Sequence, residues 1–173
     1  EQGAEPPAEI GPIRFRDPEQ LADHCERQGE RVPRHEIDGA VGAAARGAWN
    51  RGDFPLARQL ARRAAGRVPP AGTPRIAHPG DVLADVALYE GDVDRALRHY
   101  TAEARRARAE GDRIRLVWTL YYVAICEAVR RAPERGVGPA LESLAVADAT
   151  AKPTAQSMAR YAVGLVLKKV EPD

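Results

Sequence analysis

Apolar residues recur along most of the chain at intervals of three and four, the spacing of helices that bury one face. Asp17-Pro18-Glu19 supplies a cap, a proline at the first helical position and an acidic first turn, and predicts a short helix through Leu21, Ala22 and Cys25 to about Gln28. Pro33 to Arg51, with Ile37, Val41, Ala44, Ala45, Ala48 and Trp49 in helical register, predicts the first helix of a hairpin, and Phe54 to Arg67 its partner. Asp81 is expected to cap a helix through Val82, Ala84, Val86 and Tyr89. Asp92 or Asp94 caps the next, which holds Ala96, Leu97, Tyr100, Ala104 and Ala107. A long helix follows from Arg113 to about Ala132; Pro133 to Pro139 is expected to turn the chain, Ala140 to Ala149 to return it, and Pro153 to open a last helix through Met158, Tyr161, Leu165 and Leu167. Residues 1–17, with Pro6, Pro7, Gly11 and Pro12, have no helical period and read as an extended leader. Val68 to Pro74, with three prolines and a glycine, is the longest internal loop.

A repeat organises these elements. Trp49-Asn50-Arg51-Gly52-Asp53 returns as Leu88-Tyr89-Glu90-Gly91-Asp92, and the following Ala57 returns as Ala96, both at an offset of 39 residues (91 − 52 and 96 − 57). An aromatic near the helix end, a glycine able to take positive φ, an aspartate to cap the next helix and a small residue where two helices meet describe a helix-turn-helix hairpin. Hairpins repeated at this spacing predict an all-α fold, a right-handed α-solenoid over residues 18–173. Glu1 in place of Met predicts an excised piece of a longer polypeptide, and Glu171-Pro172-Asp173 reads as a turn whose second helix lies further on. The apolar Val163, Leu165, Val166 and Leu167 on the last helix agree with a longer array.

With Ala57, Ala96 and Ala140 at the small position of the second helix, Leu83 and Ala84 at the first-helix Leu and small position, and Tyr100 at the second-helix aromatic, the pattern resembles tetratricopeptide repeats. It departs from them in period, since 39 and then 140 − 96 = 44 exceed the usual value of about 34. The first-helix Trp and terminal Pro are also out of place. The run from Leu88-Tyr89-Glu90-Gly91 through Gly111-Asp112 and Pro153 to Gly164 looks like the helical-repeat region of large actinobacterial signalling and transcription regulators, of the antibiotic-regulatory and ATPase-linked types. That resemblance, over residues 36 to 173, implies a non-catalytic sensor or autoinhibitory module in the cytoplasm. Its partner would be a protein segment, another domain or a small signal molecule. A constitutive scaffold or oligomerisation module, and the repeat part of an ATPase-linked nucleotide cyclase, are the alternatives.

Charge adds little. The net charge is +1 with 29% charged residues, which gives no bias towards polyanions. Cys25 and Cys126 fall in different hairpins and read as reduced thiols. No apolar stretch is long enough to span a bilayer. The four histidines show no ligand spacing, and there is no phosphate loop or nucleophile elbow, so neither metal nor cofactor is expected. Leu60 to Gly66 superficially matches a DNA-reading helix-turn-helix, but Pro69-Pro70 replace its second helix, so direct DNA binding is not expected. Arg51-Gly52-Asp53 matches an integrin-binding tripeptide by chance.

The candidate contact residues are Arg95, Arg98, Tyr121, Tyr122 and Tyr161. Trp118, Tyr121, Tyr122, Ile125 and Cys126 lie at i, i+3, i+4, i+7 and i+8 on one helix. Such a stripe is either the core face of that helix, the favoured reading, or a ligand-contacting line on the concave face of the solenoid. Arg95, Arg98, His99, Arg105, Arg106 and Arg108, with Arg62, Arg63 and Arg67, form either a basic groove or, as favoured, a solvated face laced with ion pairs.

Overall fold

The computed structural model describes residues 34–64 and 79–171, with Gln20, Asp23 and Arg27 as isolated helical positions. The expected leader, most of the first short helix and the Val68–Pro74 loop lie outside the described residues. Seven helices have defined bounds: α1 (Arg34–Asn50), α2 (Phe54–Ala64), α3 (Pro79–Tyr89), α4 (Val93–Glu110), α5 (Arg113–Val129), α6 (Pro133–Asp148) and α7 (Pro153–Val170). The described fold is all-α, with no strand among these residues.

The turns explain why the helices stop and restart where they do. Gly52, Gly91 and Gly111 take φ of 79°, 85° and 70°, the left-handed region open to glycine at low cost. The next residue then closes back on the preceding helix: Asp53 N–H donates to the Ala48 carbonyl at 3.0 Å, Asp92 to Ala87 at 2.8 Å and Asp112 to Ala107 at 3.0 Å. The same aspartates cap the next helix, accepting from the N–H of Leu56, Arg95 and Arg115 at 3.1, 3.2 and 3.0 Å. Asp92, not Asp94, is therefore the cap of α4.

Two further turns place a non-glycine residue at the left-handed position. Arg131 and Ala151 stand at φ 61° and 51°, and Ala132 N–H reaches the Glu127 carbonyl at 3.0 Å. The left-handed positions thus run Gly91, Gly111, Arg131, Ala151, each 20 residues on, and equivalent turns are 39 (Gly52 to Gly91) and 40 (Gly91 to Arg131) residues apart.

This register corrects the expected turn at Pro133–Pro139, because α6 starts at Pro133 and runs straight through Pro139. Pro133 suits the first helical position, where its missing N–H costs nothing. Pro139 does forfeit a bond to the Arg135 carbonyl, but Pro133, Gly136, Ala140, Ser143 and Ala147 are buried at helical spacing, and tertiary packing overrides the local penalty. Likewise α5 ends at Val129, not Ala132. The third small position is Gly136 (136 − 96 = 40), while Ala140 is equivalent to Tyr100 (140 − 100 = 40). The second interval is then 40 instead of 44.

Each helix packs on the next along the chain, and α1 packs directly on α3 and α5 on α7. From α3 onward, and between α1 and α2, helices joined by turns of two to four residues pack side by side and run antiparallel as hairpins. The core is a string of small clusters instead of one centre. Ala44, Ala45, Ala48, Ala57 and Ala61 knit α1 to α2 with Val82 and Val86 of α3; Ala124, Ala128, Ala140, Ala162 and Val166 knit α5, α6 and α7. Methyl-sized contacts let backbones approach closely. A Cβ added at Gly136 would lie 3.1 Å from the Ala124 carbonyl oxygen and 3.2 Å from Val166 Cγ2, whereas one at Gly138 meets nothing within 4 Å.

The same substitution two residues apart is expected to have opposite effects. Gly138→Ala should stabilise the fold by about 0.5–1 kcal/mol by relieving the helix-interior cost of glycine. Gly136→Ala should destabilise it by about 1–3 kcal/mol through overpacking of the α5–α6–α7 junction. Urea unfolding of the two variants checks both signs.

Candidate functional site

The repeat register aligns positions on the first helix of each hairpin. Tyr121 and Tyr161 are 40 residues apart, the spacing of Gly91 and Arg131, so they occupy one position on α5 and α7. Their rings lie 6.3 Å apart, tilted by 38°. Tyr121 also meets Trp118 edge-on at 6.3 Å and Tyr122 edge-on at 4.9 Å, and Tyr122 stacks on Tyr100 of α4 at 4.6 Å and 12°. Edge-to-face and offset contacts suit the ring quadrupoles and fix the rings against one another. The result is an aromatic run from α4 across α5 to α7, buried at Tyr100 and open at Tyr161, which is 58% exposed.

Behind the buried end lies a polar network. Asp85 of α3 accepts from the Tyr100 hydroxyl and from Arg46 Nη1 of α1, joining three helices. Arg46 and Asp85 are separated by 39 residues, the repeat offset itself, so this ion pair links the same position of successive first helices. One helical turn earlier on α3, the fully buried Asp81 lies 3.0 Å from His99 Nε2. Gly80 makes room for that imidazole, since a Cβ there would come within 2.7 Å of His99 Cε1.

Asp81 was the expected cap of α3. Instead it sits inside the first turn of a helix starting at Pro79, and its carboxylate is turned into the protein. No sequence period announces such a role, because the partner is eighteen residues away on another helix. The basic positions divide: Arg108 makes a bidentate pair with Glu142 at 2.7 and 2.6 Å, and Arg106 meets Glu103 at 3.3 Å. The Arg108 hydrogen bond holds the Glu142 carboxyl below its usual range against the opposing effect of burial, and the Arg108 charge adds to the lowering.

Of the five candidate contact residues, the structure gathers Tyr121, Tyr122 and Tyr161 into the aromatic run. Arg95 and Arg98 are exposed on α4 and lie apart from it. Helical geometry accounts for this, since steps of five and two residues put them about 140° and 160° round the axis from Tyr100. The stripe Trp118, Tyr121, Tyr122, Ile125 and Cys126 is not the deepest face of α5. Cys126 is fully buried, but the other four are half-buried, and the core side is Leu116, Val117, Leu120, Val123 and Ala124.

Cys126 packs among Ala84, Ala87, Tyr100 and Val123, where burial foremost, and the nearby Glu127 and Asp85 carboxylates next, push its thiol up to about 12. A raised folded pKa stabilises the fold fully below the unfolded value of about 8.5, and that contribution is lost as pH climbs from there towards the folded value. Cys126 is expected to resist iodoacetamide at pH 8 until the chain unfolds. Between pH 9 and 11 the stability difference between the parent chain and Cys126→Ala should shrink by up to about 1.4 kcal/mol per pH unit. Peptide mass mapping separates this thiol from Cys25.

Among the described residues no group of His, Cys, Asp and Glu is arranged to hold a metal ion, and no helix is long and apolar enough to cross a membrane. No family model, curated protein or solved structure matches the chain.

Proposed function

We propose that this chain is a non-catalytic binding module: a right-handed superhelix of divergent tetratricopeptide-like hairpins within a larger cytoplasmic regulator of transcription or signalling. On this reading it holds a protein segment, a partner domain or a small signal molecule against the face formed by the first helices of successive hairpins. Binding there shifts an equilibrium between interdomain arrangements in proportion to its differential affinity for them.

The observation that supports this reading is the aromatic run. Trp118, Tyr121 and Tyr122 of α5 are half-buried beside the exposed Tyr161 of α7, on the backing of Tyr100 and Asp85. Aromatic rings with few rotatable bonds, partly exposed and locked by neighbours, offer contact area at low entropic cost. Tyr121 and Tyr161, at equivalent positions of α5 and α7, form a two-ring step, which suits a ligand laid across those two helices.

The test is selection from a random peptide library on the immobilised chain, with counter-selection on the double variant Tyr121→Ala, Tyr161→Ala. Peptides that perturb the NMR signals of Tyr121, Tyr122 and Tyr161, and bind the double variant at least tenfold more weakly, are expected. Peptides that bind both proteins equally, or whose perturbations map elsewhere, would overturn the assignment.

A further inference from the structure

On the opposite side of α5 from the aromatic run, the C-terminal part of α4, the first turns of α5 and the end of α6 line an open, groove-like cavity of about 440 Å³. Leu116, at its base, stands about 160° round α5 from Trp118. The cavity exists because the residues that converge there are small: Ala107 and Gly111 end α4, and Ala145 and Ala149 line the last turns of α6, leaving Leu116 and Val146 as its larger apolar walls. Its size is in the range of small-molecule sites.

Two guanidinium groups complete the lining, those of Arg108 and Arg113. Arg108 is already neutralised by the bidentate Glu142 pair, which fixes that wall. Arg113 is exposed in the first turn of α5, and none of the ion pairs among the described residues involves it. The surrounding acids are committed elsewhere: Asp112 caps α5 and Asp148 pairs with Arg160 at 3.3 Å. An apolar cavity with an uncommitted cation at its mouth complements a molecule with an apolar body and a single anionic end.

We propose that this cavity binds a small free amphipathic carboxylate, its hydrocarbon chain lying against Leu116 and Val146 and its carboxylate accepting hydrogen bonds from the Arg113 guanidinium. The site is independent of the aromatic run and of the function proposed for it.

The probes are octanoate and its uncharged counterpart octanol, titrated at pH 7.4 and followed by NMR. Two variants at exposed positions leave the core untouched: Arg113→Gln removes the cation, and Ala145→Trp fills the cavity. Octanoate is expected to saturate with perturbations confined to Ala107, Leu116, Val146 and their neighbours. Its affinity should fall about five- to tenfold in Arg113→Gln and beyond detection in Ala145→Trp, and octanol should bind correspondingly more weakly than octanoate. Equal binding of octanol and octanoate, insensitivity to Arg113→Gln, unchanged binding to Ala145→Trp, or no saturable binding to the parent chain would each overturn the proposal.

Discussion

Replacing Asp85 with alanine is expected to cost about 3–5 kcal/mol of folding stability, because it takes a shared buried acceptor from Arg46 and Tyr100 at once. The Asp85 side chain is 3% exposed and accepts from both the Tyr100 hydroxyl, wholly buried, and Arg46 Nη1, whose side chain is 13% exposed. Without it the Arg46 guanidinium and the Tyr100 hydroxyl lose the shared carboxylate that offsets their desolvation between α1, α3 and α4. Tyr100→Phe removes only one neutral donor and should cost about 1–2 kcal/mol, so the pair of variants separates charge from packing. Urea unfolding gives both numbers. A loss below about 1 kcal/mol for Asp85→Ala would mean that water reaches Arg46 and the network is peripheral. Domains of this size have a total stability of only about 5–15 kcal/mol, so the expected loss would move the variant close to unfolding.

That network also marks the limit of what sequence reading reaches. The Gly-Asp turns were legible because glycine at positive φ and aspartate at a cap act within six residues of backbone. Where arginine and alanine fill the same left-handed position, at Arg131 and Ala151, the geometry persists but the signal vanishes, and the repeat was consequently misaligned at Ala140. Pro139 misled for a related reason: proline's local preference is real, yet the buried row Gly136, Ala140, Ser143 and Ala147 outweighs it. Tyr121, Tyr122 and Tyr161 could be singled out as aromatic residues on helix faces. Their joining to Tyr100, and through it to Asp85, depends on contacts between helices, which no single-helix period encodes. Arg95 and Arg98, singled out as part of a basic face of α4, lie on the side of that helix away from Tyr100 and so do not join them. The repeat offset would have helped, because Arg46 and Asp85 stand 39 residues apart and opposite charges at one repeat position are a readable hint of a ladder contact.

A second buried pair should behave in the opposite way once both members are changed. Glu103 of α4 and Arg115 of α5 form an ion pair with side chains 8% and 13% exposed, and Glu103 occupies the repeat position that Ser143 fills on α6 (143 − 103 = 40). There Ser143 Oγ bonds the Val117 carbonyl at 3.0 Å, so the site accepts a polar group of either kind. Glu103→Leu should cost about 3 kcal/mol, since Arg115 loses its nearest carboxylate, and the Glu110 carboxylate stands further off at 3.7 Å, at the exposed edge. Arg115→Met should cost less, about 2 kcal/mol, because Arg106 remains 3.3 Å from Glu103. The double variant is expected within about 1 kcal/mol of the parent chain, as the mutual attraction of such a pair roughly balances the desolvation of both charges. The coupling energy from this cycle would then be several times the net contribution of the pair. Additive losses in the double variant would mean zero coupling, so that Glu103 and Arg115 each stabilise the α4–α5 junction through other contacts and not through their ion pair.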